Sequence, residues 1–135
     1  MSRHRVQFAL VVAMCCAAAL PAFADPCTAP LPAPGTAFAG TVRYVGDGDS
    51  LCVGASGDPT TWVEVRIADF YAPELHAPGG ELAKAALTGI ALGKRAQCLA
   101  GQRSYDRVVA ECHVNGRSIG DAMRAVGVRE GGNGR

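Results

Sequence analysis

The apolar period of this chain changes once near its middle, from that of a strand to that of a helix, and then changes back. Trp62 to Ile67 alternates, with Val63, Val65 and Ile67 on one side and Glu64 and Arg66 on the other. From Glu81 to Leu92, the residues Leu82, Ala83, Ala86, Leu87, Ile90 and Ala91 fall on one helical stripe, which Gly93 closes. Lys94 to Ala100 and Arg107 to Val114 then read as strands again. Upstream, Phe38 to Val45 alternates, Asp47-Gly48 signals a hairpin turn, and Leu51 to Val53 supplies the partner strand. Gly54 to Thr61 reads as a loop, and residues 69–80 form an irregular connection broken by Pro73, Pro78, Gly79 and Gly80. Ser118 with Asp121 caps a last short helix that Gly127 ends. The order predicts a mainly β fold with some α: a five-stranded OB-type barrel, a helix between strands 3 and 4, and a short C-terminal helix.

The ends of the chain read differently. Arg3, His4 and Arg5 precede an uncharged run from Phe8 to Leu20, then Pro21 and the small-residue site Ala22-Phe23-Ala24. That pattern predicts a signal peptide over residues 1–24, since the run is shorter than the roughly 18 apolar residues needed to span a bilayer. The expectation is an exported protein, periplasmic or secreted, with no stable membrane span after cleavage. Pro26, Pro30, Pro32 and Pro34 make residues 25–36 an extended arm, residues 37–128 the barrel domain, and the Gly-rich residues 129–135 a flexible tail.

Cys27, Cys52, Cys98 and Cys112 remain after cleavage, and an oxidising compartment makes disulfides their default state. Cys98 and Cys112 are symmetric about Tyr105, so a simple hairpin sets them opposite one another, within disulfide reach. Cys27 and Cys52 are then left to pin the arm to the second strand. There is no Cys-x-x-Cys pair to suggest zinc. Removing Arg3 and Arg5 takes the formal net charge from +1 to −1, so bulk charge gives no support for avid duplex binding. Any nucleic-acid chemistry must come from a few placed residues.

Singly, those residues are ordinary. Asp47-Gly48-Asp49 is first of all a turn, although two carboxylates on a tight turn can also face a hard cation such as calcium. Arg66 is a polar-face arginine that could equally hold a phosphodiester with its planar fork. Glu74 in its Pro-flanked loop suits a surface carboxylate or a general base, and Arg107 follows a hairpin tip.

Taken in order, Val45-Gly46-Asp47-Gly48-Asp49-Ser50, Val65-Arg66-Ile67, Ala72-Pro73-Glu74 and Ser104-Tyr105-Asp106-Arg107 resemble the thermonuclease (staphylococcal-nuclease) family. The likeness runs from about Phe38 to about Val128, and the spacing of eight from Arg66 to Glu74 fits it. It implies calcium-dependent hydrolysis of DNA or RNA phosphodiesters, with single-stranded nucleic acid as substrate and the protein a monomer. By that likeness Glu74 activates water, Arg66 and Arg107 brace the phosphate, and Tyr105 contacts a phosphate. Asp49 would be a metal ligand, with Asp47 nearby.

The chain also departs from the pattern. Tyr71 stands where the family carries a metal-binding aspartate, and a phenol that ionises near 10 does not replace a carboxylate. Asp69, two residues earlier, would face the same side if the strand continued, and is the candidate substitute. Asp106 occupies a place often held by glycine and sets a negative charge beside Arg107. The aromatics and further helix with which family members usually continue do not follow before Arg135. The rival expectation is a catalytically weak or inactive OB barrel that binds a nucleotide, glycan or protein.

Overall fold

A computed structural model describes residues 25–131; the expected signal peptide and the last four residues of the expected tail lie outside them. The strands are β1 (Ala37–Asp47), β2 (Ser50–Gly54), β3 (Trp62–Ile67), β4 (Arg95–Ser104), β5 (Arg107–Val114) and the two-residue β6 (Arg117–Ser118). The helices are α1 (Gly80–Ala91), between β3 and β4, and α2 (Ile119–Ala125). Neighbours run β3-β2-β1-β4-β5-β6, and a parallel pairing of β3 with β5 closes the first five strands into a barrel. This is the OB-type architecture expected from the sequence, with β6 as a short addition. A single 3-10 turn, Pro59–Thr61, interrupts the expected loop, and Asp58 caps it by accepting from the Thr60 amide.

Alternation alone does not describe β1. Register shifts fall between Val42 and Tyr44 and between Val45 and Asp47, so the buried side switches from Val42 to Val45. The bulges bend β1 far enough to pair with both β2 and β4. The barrel interior holds Leu51, Val65, Ile67 and Val108, and Leu87 of α1 and Met123 of α2 close it. The α2 cap is as expected, the Ser118 hydroxyl accepting from the Asp121 amide at 3.1 Å.

Both cysteine pairs are at disulfide-bonding distance. Cys98 and Cys112 are directly opposed across β4 and β5, 4.1 Å apart at Cα. Cys27 and Cys52 are 5.8 Å apart at Cα and tie the arm to β2. Backbone bonds from Thr28 to Pro59 and from Ala29 to Trp62 hold the same arm along the barrel. Among the described residues no helix is long and apolar enough to cross a membrane.

Candidate functional site

Barrel closure builds the site. Pairing β3 in parallel with β5 sets Arg66 opposite Val109, one side chain in from the Tyr105-Asp106 tip and Arg107. On the other side, β2 places Ser50 opposite Arg66, so the β1–β2 turn overhangs the same strand. The Gly48 backbone is not left-handed; its glycine is needed for space. A Cβ there would come within 2.6 Å of the side chains of Ala83 in α1 and Ala72 in the following loop. The residue that reads as a turn former is thus the one that lets the helix close on the turn.

The turn is internally bonded. Asp47 Oδ1 accepts from the Asp49 amide at 3.1 Å and from the Ser50 hydroxyl at 2.7 Å. Asp49 is 7% exposed, and its Oδ2 accepts from the Ala72 amide at 2.8 Å and from Arg66 Nη2 at 3.2 Å. Burial pushes the Asp49 carboxyl up to about 6; the Ala72 bond opposes this, Asp47 adds to it and Arg66 opposes it. Arg66 also donates through Nη1 to the Ile67 carbonyl at 2.8 Å, and its guanidinium carbon lies 4.7 Å from the centre of the Tyr71 ring. That spacing is within cation–π reach.

Glu74 arrives from the loop between β3 and α1. Gly80 fixes that loop, because a Cβ there would run into the carbonyls of Glu74 and Leu75. The Glu74 side chain is exposed. Tyr105, in a left-handed conformation at φ 59° on the β4–β5 turn, is 96% exposed at the rim.

Asp47, Asp49, Arg66, Glu74, Tyr105 and Arg107 thus line one cleft of about 430 Å³, together with Tyr71 and Ser104. A larger groove of about 770 Å³ along α1 is lined mainly by apolar and small residues and gathers no opposed charges. Comparison with family models and with curated proteins gave no match.

Asp69 is placed elsewhere. The chain turns at Ala68–Asp69 instead of continuing β3, which buries Phe70 completely and carries the Asp69 carboxylate against Gly120 at the start of α2. Asp69 Oδ1 is buried there without a hydrogen-bond partner among the described residues. Calcium takes about six to eight oxygens. The cleft offers the carboxylates of Asp47, Asp49 and Glu74, with Asp49 already bonded to Arg66 and the Tyr71 ring lying over that arginine. Among the described residues no three His, Cys, Asp or Glu side chains gather to hold a metal.

Sequence reasoning passed over Glu64. It is 9% exposed, and burial first, then a hydrogen bond with Asp25 and the charge of Asp106, push its carboxyl up to about 7; Arg107 acts in the opposite direction. The signal was available, since Glu64 and Arg66 are two apart on the polar face of one strand.

Proposed function

We propose that this chain is an exported phosphodiesterase that hydrolyses single-stranded DNA or RNA as a monomer. The observation that carries the reading is the convergence of Arg66, Glu74 and Arg107 on one polar cleft from three separate stretches of chain. Two guanidinium groups suit a phosphodiester's two non-bridging oxygens, and a free carboxylate beside them suits a water molecule.

In this reading Glu74 takes a proton from water as the water oxygen bonds to phosphorus. The bond from phosphorus to the leaving ester oxygen breaks, and that oxygen takes a proton from solvent. Arg66 and Arg107 hold the charge that builds on the phosphoryl oxygens, and Arg107 also favours departure of the leaving group. Little covalent chemistry is required of the protein, because positioning and fixed positive charge supply most of the acceleration. Tyr105 at the rim would lie against the neighbouring stretch of substrate. No step is assigned to a metal. Export is supported by the two cysteine pairs, which suit an oxidising compartment.

The test is incubation of the oxidised protein with single-stranded DNA and with RNA, following strand length. Shortened strands are expected. Strands that are bound and remain intact would instead favour the OB-barrel binding module.

A further inference from the structure

We propose that Tyr71 is a positioning residue that fixes Arg66 so that the cleft engages a phosphodiester without calcium. The inference rests on the phosphodiesterase reading and goes beyond it, because the resemblance implies a calcium site.

Arg66 is held from three directions: by Asp49 at 3.2 Å, by the Ile67 carbonyl at 2.8 Å, and by the Tyr71 ring at 4.7 Å. Two donors engaged within the protein leave others on the five-donor guanidinium for a phosphate. A ring stacked on the fork restricts its tilt without using any of those donors. Tyr71 is itself anchored on both sides of its backbone. Its amide donates to Glu130 Oε1 at 3.2 Å, and its carbonyl accepts from the Gly131 amide at 2.9 Å.

The same geometry works against a cation. Tyr71 brings a phenol where calcium favours carboxylate and carbonyl oxygens. Asp49 spends one oxygen on both Arg66 and the Ala72 amide, and Asp69, the substitute carboxylate, is directed at Gly120. A calcium ion at the turn would also sit beside the fixed Arg66 guanidinium. The positive charge offered to the phosphate is therefore that of the arginines.

The experiment uses the oxidised protein and three variants, Tyr71→Phe, Tyr71→Ala and Tyr71→Asp, each checked for folding by thermal melting. A short single-stranded oligodeoxynucleotide is titrated and its cleavage followed, with chelator and with calcium. Calcium alone is titrated calorimetrically. Wild-type affinity and cleavage should agree within about twofold in the two buffers, and calcium alone should give no binding heat. Tyr71→Ala should weaken oligonucleotide binding about three- to tenfold, the range expected for losing a cation–π contact. Tyr71→Phe, which keeps the ring, should recover that affinity. Tyr71→Asp should gain calcium binding and a cleavage rate that falls with chelator.

Calcium binding by the wild type, or cleavage abolished by chelator, would overturn the proposal. Equal weakening in Tyr71→Phe and Tyr71→Ala would remove the ring's positioning role. If no protein binds or cuts the strand, the phosphodiesterase reading fails separately. In that case the calcium titrations still decide: binding gained only in Tyr71→Asp supports exclusion of the ion by Tyr71, and binding by the wild type overturns it.

Discussion

The two walls of the cleft are built in contrasting ways. Asp47, Asp49 and Arg66 reach it from the β1–β2 turn and the end of β3, bonded to one another and to backbone groups. Glu74 reaches it from the loop before α1, exposed and without a side-chain hydrogen bond among the described residues. In the first wall the polar groups satisfy one another, so they serve the fold as well as the chemistry. In the second, the carboxylate is free to meet a water molecule. Substitutions should separate the two walls by whether stability and rate fall together.

Arg66→Ala should have the largest combined effect on rate and stability. Losing one preorganised donor lowers cleavage about 10²–10³-fold. Asp49, buried and stripped of its partner, should also cost about 1–3 kcal/mol of stability, read from denaturant unfolding. Next comes the hairpin carrying Arg107. Replacing Cys98 and Cys112 together with serine opens a loop with a sequence separation of 14 and should cost about 3 kcal/mol in the chain-entropy picture. If activity survives that loss below the unfolding transition, the hairpin geometry is set by the barrel and not by the disulfide. Asp49→Ala, which strands the Ala72 amide, should cost about 2 kcal/mol by the same unfolding measurement.

The smallest expected effect concerns pH. Glu64 has a folded carboxyl raised from 4.5 to about 7, so its contribution to stability is full below pH 4.5 and is lost as pH rises through about 7. Asp49 behaves likewise between 3.8 and about 6. Glu64→Gln should therefore be more stable than wild type at pH 8, by about 1 kcal/mol once solvent screening is allowed for. The gain should vanish at pH 4. A gain independent of pH would point to packing and not to ionisation.

Much of this architecture was legible because it depends on local periodicity. The alternation of Trp62–Ile67, the α1 stripe and the opposition of Cys98 and Cys112 about the hairpin are properties of neighbouring residues. The Asp47-Gly48 turn was also legible, but for a different reason: Gly48 makes room for Ala83 and Ala72, a requirement set by α1 many residues away. Asp69 and Tyr71 were harder. Their directions depend on where β3 stops, and it stops so that Phe70 can enter the core. Once the chain turns at Asp69, strand parity no longer says which side chain faces the cleft. Nothing local in the sequence marks Tyr71 as lying over Arg66, because the contact requires both the turn and the anchoring of Tyr71 by Glu130 and Gly131.

The most direct test of the division between the walls is the cleavage rate of a single-stranded oligonucleotide by Glu74→Gln beside wild type, with both unfolding midpoints recorded. The account predicts a rate lower by about 10²–10⁴-fold, the range for losing a general base, at an unchanged midpoint. A variant that cuts as fast as wild type would contradict it.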